Sequence, residues 1–146
     1  KRKNSILLIV GTGPLKERLR RQAEKLGLEK DVIFYGASSQ VERLLWAIDV
    51  FVFPSDTEGF GIAGVEAQAA GLPVICSEAI PPEAMITDQT VQLKLSTGAK
   101  AWAEKIMNTD IANRESGVEA VSSAGFDIQT VAEQIRARWM RDKIER

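Results

Sequence analysis

Asp56-Thr57-Glu58-Gly59-Phe60-Gly61-Ile62-Ala63-Gly64-Val65-Glu66-Ala67-Gln68-Ala69-Ala70-Gly71 is the stretch on which the reading of this chain turns. It follows the apolar run Val50-Phe51-Val52-Phe53 and precedes a second, Pro73-Val74-Ile75-Cys76. Short apolar runs with no alternation read as strands buried on both faces, and the alanine-rich piece between them reads as a helix. Strand, glycine-bearing turn, helix and strand make a βαβ unit, whose two strands run parallel. Open parallel sheets bind ligands beyond the carboxyl ends of their strands, which is where Pro54 to Gly61 falls.

The residues of that turn have a chemistry of their own. Gly59 and Gly61 allow close backbone approach or a positive φ. The helix is expected to begin near Gly61 or Ile62, and its first amide N–H groups lack intrahelical partners and carry partial positive charge, which suits a phosphate or a polar sugar. Glu58 precedes the helix and Glu66 lies a little over one turn inside it. Carboxylates so placed accept hydrogen bonds from hydroxyls. On the pattern alone a plainer reading stands equally: Glu58 is a solvated loop acid, and Glu66 is a helix-face acid favoured by the macrodipole.

Upstream, Ser5-Ile6-Leu7-Leu8-Ile9-Val10 reads as another buried parallel strand, ending in Gly11-Thr12-Gly13-Pro14. A dinucleotide fingerprint needs a third glycine where this chain has Lys16, so that reading fails on spacing. A tight strand-to-helix turn with Pro14 at the helix start remains. Leu15, Leu19, Ala23 and Leu26 form the apolar face of a helix over 15–26, with Gly27 suited to its C′ position. Val32 to Tyr35 is a strand stopping at Gly36. Ser39 and Glu42 suggest a capping box for a helix carrying Val41, Leu44, Leu45 and Ile48 inward.

Downstream, Val91 to Leu95 alternates like a short edge strand, and Ser96 to Met107 is a helix with Trp102 and Ile106 on one face. Asn108 to Arg114 is a polar connection, and Glu115 to Ser123 a short helix ending near Gly125. Asp127 is placed to N-cap a last helix. Ile128, Val131, Ile135 and Trp139 fall on one side of it, and Arg136, Arg138, Arg141 and Lys143 on others, a pattern that fits a solvated basic face. These segments predict one α/β domain over 1–146: a three-layer, Rossmann-like lobe of about five or six mostly parallel strands with helices on both faces.

Composition narrows the function. The 19 basic and 20 acidic residues balance to a net charge of -1, so no basic surplus points to nucleic acid or an anionic membrane surface. There is no histidine, which removes Ser-His catalysis and imidazole-metal sites, and no metal site is expected. The one cysteine, Cys76, ends a buried strand and reads as a small core residue; a lone cysteine fits a reducing, cytoplasmic compartment. Neither a signal peptide nor a run approaching the roughly 20 apolar residues of a membrane span is legible.

Glu58 and Glu66, with seven residues between them, stand within Pro-Ser-x-x-Glu-Gly-Phe-Gly-x-x-x-x-Glu-Ala-x-Ala-x-Gly-x-Pro-Val. With Val10-Gly11-Thr12-Gly13-Pro14 and Val32-Ile33-Phe34-Tyr35-Gly36 upstream in the expected order, this resembles the retaining, nucleotide-sugar-dependent glycosyltransferases of the GT-B fold, family 4, the "glycosyl transferases group 1" domain. The likeness runs from Ile6 to Ser77 and more loosely to the end. It implies the C-terminal, donor-binding half of such an enzyme. Glu66 would accept the ribose hydroxyls. Glu58, Gly59 and the backbone at Phe60, Gly61 and Ile62 would hold the donor sugar. Tyr35, Gly36 and Ala37 would meet the base. Glu58 is the catalytic candidate, as an orienting acid rather than a covalent nucleophile. The donor is expected to be UDP-linked, with no further cofactor. Where many relatives carry Gly-Gly-x-x-Glu, this chain has Glu78-Ala79-Ile80-Pro81-Pro82-Glu83, which is more like enzymes of exopolysaccharide and capsule assembly and leaves the pocket rim open to a different shape.

The resemblance also implies parts that lie elsewhere. The family's Arg/Lys pair on the leaving diphosphate sits before the strand at Ile6, and Lys1, Arg2 and Lys3 are too close to that strand to replace it. The acceptor-binding N-terminal lobe is a further expected partner, onto which the family's C-terminal helix packs. Residues 1–146 alone are therefore expected to bind nucleotide weakly and not turn over, and any membrane association, at the inner face, would come through the full-length enzyme. Two other functions remain open: a non-catalytic nucleotide- or partner-binding module, and a nucleotide-sugar epimerase of the same architecture, against which the missing histidine counts.

Overall fold

The computed structural model describes residues 5–112 and 114–144, the side chains of 142–144 excepted. Lys1, Arg2 and Lys3 lie outside the described residues, as does the side chain of Lys143. The chain forms two compact units, Lys1–Val41 and Glu42–Arg146.

In the first unit, β1 (Leu7–Val10) pairs parallel with β2 (Val32–Gly36), joined by α1 (Lys16–Lys25). Gly27 ends α1 as its spacing predicts: at φ +64° its N–H donates to the Glu24 carbonyl at 3.0 Å, and the Leu28 N–H reaches the Ala23 carbonyl at 2.9 Å. These two bonds make a Schellman motif, which only a residue tolerant of the left-handed region closes without strain. Ala23 is buried, and the Arg20 guanidinium lies 5.7 Å from the centre of the Phe34 ring.

The second unit holds the main core. β3 (Phe51–Phe53), β4 (Val74–Ser77) and β5 (Thr90–Leu93) form a parallel sheet in that order, with β4 buried along its whole length at the centre. A central strand covered on both faces needs apolar side chains on both, hence the unbroken run Val74-Ile75-Cys76. α3 (Ile62–Ala69) lays Val65 and Ala67 into a cluster with Leu45, Leu72, Ile80, Ala84 and Val121. Burial pushes the Cys76 thiol above its ordinary value, opposed in part by a backbone hydrogen bond, so it stays protonated and inert within this core. The short helix α2 (Val41–Trp46) starts differently from the capping box suggested by Ser39 and Glu42: the Gln40 N–H donates to Ser38 Oγ at 3.0 Å, one residue earlier.

Past β5, a 3-10 turn at Leu95–Thr97 leads into α4 (Gly98–Met107), which buries Trp102. The polar connection after α4 ends in a structural residue. Arg114 donates from Nε to the Ala70 carbonyl at 3.1 Å, from one Nη to those of Trp46 and Ile48, both at 3.1 Å, and from the other to that of Leu45 at 2.9 Å. One guanidinium thus satisfies orphan carbonyls at the ends of α2 and α3, where its charge also complements both dipoles. α5 (Val118–Val121) runs into a π-type turn, Ser122–Phe126, with Gly125 at φ +90°.

The last helix, α6 (Ile128–Ile144), starts where Asp127 was expected to cap it: Asp127 Oδ1 accepts the Thr130 N–H at 2.8 Å. Of its apolar residues Val131 is half-buried, while Ile128, Ile135 and Trp139 are exposed. The Thr130 backbone hydrogen bond, helped by the Thr130 side chain, holds the Asp127 carboxyl below its ordinary value. A depressed folded-state pKa contributes stability that is present above the ordinary carboxylate range and is lost as pH falls through the depressed value. Asp127→Ala is therefore expected to melt earlier than wild type at neutral pH, with the gap closing in strong acid. Melts followed by helical circular dichroism at both pH values check this; a gap that persists in acid would remove the ionised cap from the account.

Candidate functional site

The turn between β3 and α3 has the geometry that its glycines suggest. Gly61 is the N-cap of α3 at φ +86°, and no side chain caps the helix. The Gly64 N–H turns back to the Gly61 carbonyl at 2.8 Å, so Ile62 and Ala63 carry the amides that open on the helix end. Ala63 is an addition to the residues read from sequence. Phe60 turns its ring into the core, tilted against Phe126 with centroids 5.5 Å apart, which leaves its backbone, not its side chain, for the site.

Glu58 is half-buried and folds back on this end. Its Oε1 accepts the Gly59 N–H at 3.2 Å, and its Cγ lies 3.6 Å from where a Cβ on Gly61 would stand. Glu66 is exposed on α3 with Ile62 and Ala63, opposite the buried face of Gly64, Val65, Ala67 and Gln68. Helical side chains tilt toward the N-terminus, so Glu66 projects back over Ile62, four residues earlier, and toward the same end. Glu58 and the Ile62 and Ala63 amides thus meet at one helix terminus, with Glu66 one turn further along the exposed face of the same helix.

This terminus is held from below by residues that the sequence reading passed over. Ser77 Oγ, fully buried at the end of β4, donates to the Ser55 carbonyl, and Ser55 Oγ donates to that of Thr57 at 3.0 Å. These bonds fix the loop that carries Glu58. Ile80 Cδ1 and Phe53 Cε1 lie 3.0 and 3.2 Å from the absent Cβ of Gly61, so this glycine is required twice, by its φ and by its neighbours. Gln68 is 1% exposed, and every hydrogen-bonding position of its amide is used. Nε2 donates to Gly64 O at 3.0 Å and Ala84 O at 2.7 Å, and Oε1 accepts the N–H groups of Ile86 at 2.7 Å and Thr87 at 2.9 Å. The sequence does hold a signal for Gln68: it is a polar residue on the buried face of an otherwise apolar helix, where a partner is obligatory.

Tyr35, Gly36 and Ala37 lie in the first unit, at the end of β2. Tyr35 and Ala37 are exposed, Gly36 has φ +90°, and its carbonyl accepts the Gly11 N–H at 2.7 Å, which joins the turns ending β1 and β2. Beside them, an apolar hollow of about 280 Å³ is lined by Val10, Gly11, Pro14, Leu15, Leu19 and Phe34. It contains none of the acidic residues, so the hollow and the acidic turn are separate features.

Comparison with solved structures places the fold. The chain matches HepE of Anabaena in its complex with UDP-glucose at TM-score 0.68 and 24% identity, over 93% of this chain and 41% of that one. It matches the C-terminal domain of LpcC, a glycosyl transferase group 1 family protein of Francisella tularensis, at TM-score 0.62 and 20% identity, over 86% of this chain and 87% of that one. The fold is that of the GT-B glycosyltransferases. At the level of sequence the match to the family described as glycosyl transferases group 1 covers residues 1–109, and the chain belongs to that family. It is 35% identical over 127 residues to EpsF of Bacillus subtilis, covering 84% of this chain but only 33% of that protein, so it spans about a third of this relative's length.

Proposed function

We propose that the chain is the donor-binding lobe of a retaining glycosyltransferase that takes a UDP-linked sugar and passes the glycosyl group to an acceptor in polysaccharide or glycolipid assembly, with no further cofactor. The observation that carries this reading is the uncapped N-terminus of α3, with Gly61 at φ +86° between Glu58 and Glu66. HepE, whose structure holds UDP-glucose, supports the choice of donor. Glu66 accepts the ribose hydroxyls. The amides of Ile62 and Ala63 face the diphospho-sugar, where the helix dipole favours negative charge on the leaving diphosphate. Glu58 and the backbone from Gly59 to Gly61 orient the sugar, and Tyr35, Gly36 and Ala37 receive the base. The Arg/Lys pair and the acceptor lobe come from elsewhere in the full-length enzyme, which works in the cytoplasm, at the inner face of the membrane. The acceptor class rests on the likeness of Glu78–Glu83 to enzymes of exopolysaccharide and capsule assembly.

A ligand at free concentration c that binds only the folded state stabilises it by RT ln(1 + c/Kd) and so raises the melting temperature. UDP is expected to stabilise the protein, with GDP and ADP doing less at equal concentration. Equal shifts from all three, or none, would overturn the donor assignment. Product from the full-length enzyme, read by the anomeric coupling in NMR, is expected to keep the donor's configuration. Efficient transfer by residues 1–146 alone would overturn the division of labour between lobes.

A further inference from the structure

We infer that Gln68 is a positioning residue for the donor site: its amide fixes the Ile80–Thr87 segment, which in turn sets the backbone at Gly61. The inference rests on the reading of the α3 terminus given under Proposed function. Gln68 makes no side-chain bond to Gly61, Ile62 or Ala63, and meets the first turn of α3 only at the Gly64 carbonyl. Its side chain leaves the opposite, buried face of α3 and binds Ala84, Ile86 and Thr87 through one donor bond and two acceptor bonds, while Gly64 takes the other donor. The near end of the segment is tied separately, by Gln92 Nε2 donating to the Ile80 carbonyl at 2.9 Å.

Between these ties the chain has little freedom. Pro81 and Pro82 have fixed φ, and the 3-10 turn at Pro82–Ala84 closes with the Ala84 N–H on the Pro81 carbonyl and the Met85 N–H on that of Pro82, both at 3.0 Å. The Ile80 side chain, 3% exposed, rests against Gly61. Because Gly61 is in the left-handed region with Ile80 and Phe53 against it, a shift of Ile80 releases the peptide that aims the Ile62 and Ala63 amides. Losing the Gln68 amide strands two part-buried N–H groups and one buried carbonyl on the segment, and the local remedy is for the segment to move toward water. This gives Glu78–Glu83 a role: it forms a stiff rim with one movable end, and Gln68 holds that end.

The test uses the full-length enzyme, with UDP as the probe. Gln68→Met keeps the volume and removes every polar bond. It is compared with Leu45→Ala, which loosens the same core from α2 and removes none of the segment's hydrogen bonds. Gln68→Met is expected to speed hydrogen exchange at Ile86 and Thr87 and to weaken UDP binding, measured by calorimetry, about tenfold, the scale of a misplaced binding group. Leu45→Ala is expected to lower the melting temperature and leave UDP affinity within about twofold. Faster exchange in Gln68→Met with unchanged UDP affinity would make the residue merely structural and overturn the inference, as would unchanged exchange. Should Gln68→Met not fold, Gln68→Glu, which keeps an acceptor for both amides and gives up the two donors, is judged by the same criteria. Wild type that binds no UDP overturns the functional reading itself; wild type that binds UDP as tightly as Gln68→Met overturns only the role of Gln68.

Discussion

Gly117→Ala is expected to destabilise the second unit by about 3–5 kcal/mol, at the upper end of what single substitutions do. A Cβ at Gly117 would stand 2.0 Å from the backbone carbonyl oxygen of Gln68, and one at Gly71 would stand 2.2 Å from that of Glu115. Both obstacles are main chain, so no rotamer change relieves them. The 114–117 segment would have to retreat from the end of α3 and take Arg114 away from the carbonyls of Leu45, Trp46, Ile48 and Ala70. Against a total stability of about 5–15 kcal/mol, that is a large share. Gly13→Ala, at a site with nothing within 4 Å and no positive φ, is the control and should cost little. Urea melts of the three proteins measure it, and a Gly117→Ala midpoint near that of wild type would mean the close crossing is not rigid.

The second large effect concerns binding. Glu66→Ala is expected to weaken UDP about 10- to 100-fold, the scale of lost hydrogen bonds to a charged group, while leaving the melting temperature of the free protein unchanged. The separation is clean because Glu66 is exposed and its carboxylate makes no hydrogen bond or ion pair among the described residues. An acid kept for helix stability alone would give the opposite pattern, a small loss of stability and no change in affinity. Calorimetric titration of wild type and variant decides between them, and unchanged affinity would withdraw Glu66 from the ribose.

Much of this was legible in the sequence because it depends on local chemistry. The unbroken apolar runs gave β3 and β4, Gly27 gave the end of α1, Asp127 the start of α6, and the glycines around Phe60 the start of α3. What escaped depends on contacts distant along the chain. Arg114 looks like any polar loop residue until the ends of α2 and α3 come to it, and Gly117 looks like a spacer until the main chain of Gln68 lies beneath it. The capping box failed by one residue because Ser38 and Ser39 compete for the same role, and only the backbone path selects between them. Among the site residues, the glutamates were found as a spaced motif, while Gln68, Ser77 and Ile80, which hold the motif in place, make their long-range bonds and contacts across 16 to 22 residues of sequence.

Among the described residues of the second unit β5 pairs only with β4, so it keeps one flank of amides and carbonyls without a ladder. Such a flank on an apolar strand is a template for any extended peptide that reaches it. Residues 1–146 prepared alone should therefore be prone to self-association through this flank, and polypeptide that lays a strand along it would act as a solubiliser as well as a structural partner.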